Sequence, residues 1–116
     1  MALPCVTDEE NGYQVHGRLF AWNWPERVHP KKPKVPNPDV LCLRVSGEGD
    51  KQALLAADPR KFFTTDHYNG YPAVLVRLAE VGPDELNELI IDSWRTRAPA
   101  NLVRDYDLST GAGEPE

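Results

Sequence analysis

The residues best suited to chemistry in this sequence are four basic residues, lysines and an arginine, within one proline-rich stretch, residues 25–39 (PERVHPKKPKVPNPD). These bases are Arg27, Lys31, Lys32 and Lys34. Lysine and arginine side chains bind phosphate oxygens, so an exposed group of them is typical of a nucleic-acid contact. The alternative is a loop that serves only solubility, because Glu26 and Asp39 weaken the positive patch. The five prolines of the stretch predict an exposed, partly extended loop, since proline interrupts regular elements.

Two further pairs of side chains extend the nucleic-acid interpretation. Trp22 and Trp24 precede the stretch and are suited to stacking on unpaired bases, although they can equally be ordinary strand aromatics. Arg44 and Arg77 fall on the faces of two predicted strands that point away from the core. If those strands are neighbours, the sheet displays a basic stripe; the alternative is scattered surface charge.

No pattern in the sequence predicts catalysis. His67 follows Asp66, and together with Tyr68 and Tyr71 it is a candidate for lining a pocket or for acid–base chemistry. Adjacent residues in a turn normally point apart, which favours a turn anchored by aromatic side chains. The sequence has no GxSxG, HExxH or CxxC motif, no nucleotide-binding glycine pattern and no metal-ligand spacing of histidines. We therefore predict a protein that is not an enzyme and that binds neither metal nor cofactor.

Charge and composition restrict the class of protein further. The chain has 116 residues, enough for one domain, and a net charge of −5, which opposes general electrostatic binding of nucleic acid. Several of the acids lie in residues 105–116, which are predicted to be a disordered acidic tail. No apolar run has the length of a membrane span, and no secretory pattern opens the chain. Cys5 and Cys42 are the only cysteines; they predict no disulfide framework and suit a reducing cytoplasm.

The elements that position these residues are strands and helices connected by short links. Strands are predicted at residues 13–16, 18–24, 40–45, 62–65 and 73–78, the first two joined in a hairpin. Helices are predicted at residues 50–57, 83–95 and 99–104. Asp50 can cap the first of them, and Pro83 suits the first turn of the second. Phe20, Trp22 and Trp24 are expected on one strand face. Residues 1–104 are thus predicted to form an α+β domain, an antiparallel sheet of about five strands with helices on one face.

Several segments together resemble the MmcQ/YjbR family of small bacterial proteins. The matching segments are YQVHGRLFA at 13–21, 40–45, LLAADP at 54–59, 62–78 and 83–99. The resemblance implies an α+β fold similar to the bacterial frataxin type. It also implies a DNA-binding role, because members of the family are usually named DNA-binding proteins after a proposed double-wing arrangement. Two departures are expected: the family's N-terminal helix is absent before residue 4, and the stretch at 25–39 is longer than the usual link.

Two functional hypotheses follow. The first is a non-enzymatic DNA-binding protein of the MmcQ/YjbR type, with contacts from the bases of residues 25–39 and from Arg44 and Arg77. The second is a protein- or small-ligand-binding module that uses the exposed sheet face, where Arg44 and Arg77 are expected. A titration with duplex and single-stranded DNA separates the two hypotheses, because only the first predicts salt-sensitive binding.

Overall fold

The computed structural model describes residues 3–9, 12–27 and 30–110, which form an α+β domain. The strands of this part are β1 (Val6–Glu9), β2 (Gly12–Val15), β3 (Arg18–Glu26), β4 (Val35–Arg44), β5 (Phe62–Phe63) and β6 (Ala73–Arg77). The α-helices are α1 (Glu48–Ala57), α2 (Pro83–Arg97) and α3 (Ala100–Thr110), and short 3-10 turns lie at Asp66–Tyr68 and Leu78–Glu80. Neighbouring strands are antiparallel in the order β1-β2-β3-β4-β6-β5. The predicted fold class is confirmed.

The sheet separates two groups of buried side chains, because successive residues of a strand point to opposite faces. On β6, Val74 and Val76 face the helices and Ala73 and Leu75 face the other way, and all four are completely buried. We call the first group the helix-side core; its buried members are Val15, Phe20, Ala21, Leu41, Leu43, Phe62, Val74, Val76, Trp94 and Tyr106. We call the second group the aromatic-side core; its buried members are Trp22, Val40, Cys42, Tyr68, Ala73 and Leu75.

A β-bulge in β3 divides the aromatic residues of that strand between the two cores. Tyr13 of β2 pairs with Ala21 of β3, and the next residue, Gln14, pairs with Leu19. Phe20 is therefore an extra residue of β3 that has no register partner on β2. Phe20 therefore lies in the helix-side core, whereas Trp22 and Trp24 lie on the aromatic side. The expectation that these three aromatics share one face is wrong, because it assumed an uninterrupted alternation along the strand.

Two contacts hold the bulge in place. The buried Ser93 of α2 donates a hydrogen bond from its Oγ to the backbone oxygen of Phe20, at 2.6 Å. On the β2 side, Gly12 has a φ of +143°, and a Cβ at this position would lie 2.3 Å from the backbone oxygen of Ala21. Only glycine fits this backbone conformation and this close approach.

The two longer predicted helices form, with one error at a helix start. α2 begins at Pro83, as expected for a proline in the first helical turn, and extends two residues beyond the predicted end, to Arg97. α1 begins at Glu48, and Gly47 is its N-cap residue, so the prediction that Asp50 caps this helix is wrong. Asp50 instead lies in the first turn and accepts a hydrogen bond from the hydroxyl of Ser46.

Two segments outside the predicted strands and helices belong to regular elements. Residues 6–9 form β1, which pairs with β2 and adds a strand to the five expected. Residues 105–110 continue α3, so the predicted disordered tail cannot begin at residue 105. Tyr106 contacts the ring of Trp94 edge-on, at 5.2 Å between centroids, and anchors α3 on the helix-side core. Residues 111–116 of the predicted tail lie outside the described residues.

Candidate nucleic-acid interface

The basic stretch lies on a two-stranded extension of the sheet. Residues 24–26 of β3 pair with residues 35–37 of β4. β2 pairs with β3 only as far as Ala21, and β6 pairs with β4 only from Val40 onward, so within the described residues no third strand borders these positions. We call residues 24–27 and 30–37 the β3–β4 ribbon, and its residues 27 and 30–34, which lie beyond the paired strands, the ribbon tip. Residues 28 and 29 of the predicted loop lie outside the described residues.

The prediction of a loop over residues 25–39 is therefore wrong at both ends. Pro25 lies in β3 and is the register partner of Pro36 in β4. Proline is excluded from central strands because it cannot donate a ladder hydrogen bond, but it is tolerated where a strand edge is open. Within the described residues the ribbon has two open edges, so it accommodates prolines that a central strand would exclude.

A second irregularity separates the ribbon from the main sheet. Between Asn23 and Trp24 the partner on β4 jumps from Leu41 to Asn37, so three residues of β4 have no counterpart on β3. Side-chain bonds replace the missing ladder. The Nδ2 of Asn23 donates to the backbone oxygen of Asn37 at 3.1 Å, and the Oδ1 of Asn37 accepts from the backbone N–H of Asp39 at 2.8 Å.

The ribbon tip carries the four bases as exposed residues. The Nη1 of Arg27 donates to the backbone oxygen of Lys32 at 2.7 Å, which links the two sides of the tip. No acid occurs between residues 27 and 34. The neighbouring Glu26 lies in β3, and its Oε1 accepts from the Nδ2 of Asn37 at 3.0 Å. The fold thus concentrates positive charge at the tip more than the linear sequence suggested, because the two acids belong to the strands.

Trp22 is not available for base stacking, contrary to the sequence analysis. Its side chain is 8% exposed, and its Nε1 donates to the phenolic oxygen of Tyr68 at 3.1 Å. The Sγ of Cys42 lies 3.7 Å from the same oxygen. Burial raises the pKa of the Cys42 thiol to about 11 and that of the Tyr68 phenol to about 12, so both groups are neutral near pH 7.

Trp24 is partly buried near the base of the ribbon. Its ring meets Phe63 edge-on, at 5.8 Å between centroids. The guanidinium of Arg77 lies over the same Phe63 ring at 4.1 Å. Trp24 therefore belongs to a packed stack of side chains at the margin of the aromatic-side core.

The structure brings the strands of Arg44 and Arg77 together but keeps the two side chains apart. β4 and β6 pair directly, and Arg44 and Arg77 lie at opposite ends of the ladder, four residues or about 13 Å apart. Each is engaged locally: the Nη1 of Arg44 donates to the Tyr71 hydroxyl at 3.0 Å, and the Nη1 of Arg77 donates to the backbone oxygen of Pro59 at 3.2 Å. The expected basic stripe does not form, because buried Cys42 and Leu75 lie between them.

The sheet face proposed for protein or ligand binding is covered at its centre. The Asp66–Tyr68 turn and the residues after it lie over β4 and β6, and the rings of Tyr68 and Tyr71 contact Trp22. A cavity of about 250 Å³ remains, lined by Trp22, His67, Tyr68 and Tyr71. His67 is exposed and meets the Tyr68 ring edge-on at 5.1 Å, which agrees with a turn anchored by aromatics.

Lys51 holds this cover in place and was missed by the sequence analysis. Its side chain is 1% exposed, and its Nζ donates to the backbone oxygens of Tyr68 and Tyr71, the latter at 2.9 Å. Burial lowers the pKa of this amine. The signal was present in the sequence: Lys51 precedes the half-buried Leu54 and Leu55 by three and four residues, on the same side of α1.

Two features are absent from the part of the chain that the structure describes. No group of three or more His, Cys, Asp or Glu side chains in this part is arranged to hold a metal ion. Among the same residues, no helix combines the length and the apolar character required to cross a membrane.

Comparison with known proteins identifies relatives without assigning a role. Proteins named "Uncharacterized protein Mb2600" of Mycobacterium bovis and "Uncharacterized protein Rv2570" of Mycobacterium tuberculosis are each 39% identical to this chain over 116 residues. Each alignment covers 94% of this chain and 90% of the relative. No solved structure matches the chain significantly. The family model described as YjbR matches residues 1–96, so the chain belongs to the YjbR family.

Proposed function

We propose that this protein binds DNA through the tip of the β3–β4 ribbon and that it is not an enzyme. The observation that carries the proposal is the placement of four exposed bases, with no acid among them, at the end of a two-stranded projection. The bases are Arg27, Lys31, Lys32 and Lys34. Side chains of this kind neutralise phosphates and release counterions, which supplies most of the affinity of sequence-independent binding.

The net charge of −5 is compatible with this mode of binding. Since the tip carries four positive charges, the rest of the chain carries a net charge of −9. The body of the molecule is therefore repelled by phosphates, and contact is confined to the tip. A two-stranded β-ribbon is one of the elements that enter the grooves of a duplex, so the proposed contact has a known geometric form.

The salt dependence of DNA affinity tests the proposal. Fluorescence anisotropy on a labelled duplex measures this dependence between about 20 and about 200 mM salt. Four phosphate contacts imply a slope of about −3.6 in log affinity against log salt. Replacing Lys31, Lys32 and Lys34 with Ala removes three of them and should flatten the slope by about 2.7.

A charge-matched control variant replaces Arg18, Arg60 and Arg104 with Ala. These arginines are exposed and lie outside the tip. The ion pair of Arg60 with Glu80 is on the surface, so its loss costs little stability. The control should keep the wild-type slope. Equal losses in both variants, or wild-type protein without salt-sensitive binding at low salt, would show that the tip is not a DNA contact.

A further inference from the structure

We infer that the ribbon tip binds the phosphates of double-stranded B-form DNA in preference to single strands, and that it does so without reading the base sequence. This inference rests on the proposed function and names its substrate class. It follows from three properties: the described tip residues include no aromatic ring, a two-stranded element has the width of a groove, and the amide side chains of the ribbon are engaged.

The described tip residues, 27 and 30–34, include no aromatic ring on which unpaired nucleobases can stack. Proteins that bind single strands combine a basic groove with exposed aromatic rings, which supply about 1–3 kcal/mol for each stacked base. The sequence contains no Phe, Tyr or Trp between residues 25 and 61. Of the two tryptophans before the tip, Trp22 is buried and bonded to Tyr68, and Trp24 packs edge-on against Phe63. The basic residues among the described tip residues are cations of the kind that bind phosphate oxygens.

The shape of the projection fits a duplex of the B form. A pair of β-strands is about 4.8 Å between axes, and with its side chains it matches the major groove, which is about 12 Å wide. Phosphates line both walls of this groove, so cations on both sides of the tip have partners. In A-form RNA the major groove is deep and narrow and excludes such an element.

The amide side chains that could read base edges are already engaged. Asn37 uses its Nδ2 on Glu26 and its Oδ1 on the backbone N–H of Asp39. The Nδ2 of Asn23 donates to the backbone oxygen of Asn37. Asparagine reads adenine only when its donor and its acceptor are both free. Arg27 likewise uses one nitrogen on the backbone oxygen of Lys32. The ribbon therefore offers cations that bind phosphates, but no asparagine whose donor and acceptor are both available to read adenine.

The experiment compares four labelled ligands at one low salt concentration: two duplexes of unrelated sequence, a single strand of thymidines of the same length, and a duplex of RNA. We expect the two DNA duplexes to bind equally and at least about tenfold more tightly than the single strand or the RNA. Because no base stacks on a tryptophan, intrinsic tryptophan fluorescence should remain unchanged when the DNA duplex binds.

A variant of the protein tests separately whether a tryptophan contributes to binding. Replacing Trp24 with Leu should leave duplex affinity within about twofold of wild type, because this ring makes no contact with DNA. Equal or tighter binding of the single strand, accompanied by quenching of tryptophan fluorescence, would overturn the inference while leaving DNA binding intact. A large difference between the two duplex sequences would overturn its sequence-independent part. If no ligand binds, the proposed function itself fails.

Discussion

The indole N–H of Trp22 donates a hydrogen bond to the phenolic oxygen of Tyr68, joining residues 46 positions apart in the sequence. Trp22 belongs to β3, and Tyr68 belongs to the turn that covers the sheet on the side of the aromatic-side core. Because of this bond, Trp22 has a structural role, whereas its position in the sequence suggested stacking on nucleobases. It also closes the aromatic-side core, because the same oxygen lies near the thiol of the completely buried Cys42.

Replacing Tyr68 with Phe should lower the free energy of unfolding by about 1–3 kcal/mol, because the indole N–H of Trp22 would be left buried without an acceptor. Urea denaturation followed by tryptophan fluorescence measures this change. Tyr71→Phe is the matched control. The Tyr71 hydroxyl accepts from Arg44 at an exposed position, where water can replace it, so the cost should stay below about 1 kcal/mol. Equal costs for the two variants would contradict the structural role of the Trp22–Tyr68 bond.

Replacing Gly12 with Ala should destabilise the protein by about 3 kcal/mol, since the new Cβ would meet the backbone oxygen of Ala21 at 2.3 Å. Thermal and urea unfolding report the loss. Gly17→Ala provides the comparison, because Gly17 also has a positive φ, +75°, but a Cβ added there would have no atom within 4 Å. Its cost should be about 1 kcal/mol, from backbone strain alone. A larger effect at Gly17 than at Gly12 would contradict the close approach of β2 and β3.

The ion pair of Arg95 with Asp107 should make the stability of the protein depend on pH in the acid range. The two guanidinium nitrogens lie 2.9 and 2.6 Å from the two carboxylate oxygens, and these bonds lower the pKa of Asp107 below its ordinary value of 3.8. A lowered pKa in the folded state contributes stability above the ordinary pKa, and this stability is lost as pH falls through the lowered pKa.

We therefore expect Asp107→Asn to be less stable than wild type at pH 7 and the difference to shrink below about pH 4. Urea unfolding at several pH values measures this difference. Asp105→Asn, an exposed change on the same helix, is the control and should show a smaller difference at pH 7. A difference between wild type and Asp107→Asn that stays constant from neutral to acid pH would contradict the linkage.

The purified protein should contain no stoichiometric metal and should not hydrolyse simple esters or phosphoesters. The reason is the lack of a nucleophile–base pair or of ligand-spaced residues in the sequence. Elemental analysis tests the first expectation. Turnover assays on generic substrates test the second, with His67→Ala as the informative variant, since His67 borders the aromatic cavity. Turnover that disappears in His67→Ala would establish an enzyme.

Local sequence determined the central strand and the long helix of this protein. Val74 and Val76 alternate with Ala73 and Leu75, and this alternation alone places them on two faces. The start of α2 is likewise local, because Pro83 suits the first helical turn and acidic residues after it interact favourably with the helix dipole. The positions of the four tip bases within one connection were also readable from the sequence.

Tertiary structure decided which of these residues are accessible and how far the strands extend. The β-bulge at Phe20 depends on the register of β3 against β2, and the cover over the second sheet face depends on Lys51 and on the bond between Trp22 and Tyr68. The last turns of α3 contact α2, where Tyr106 packs on Trp94 and Asp107 pairs with Arg95. Each of these contacts joins distant positions, so no local pattern of residue types encodes it. In the same way, the proline-rich stretch becomes a ribbon only because residues 24–26 pair with residues 35–37.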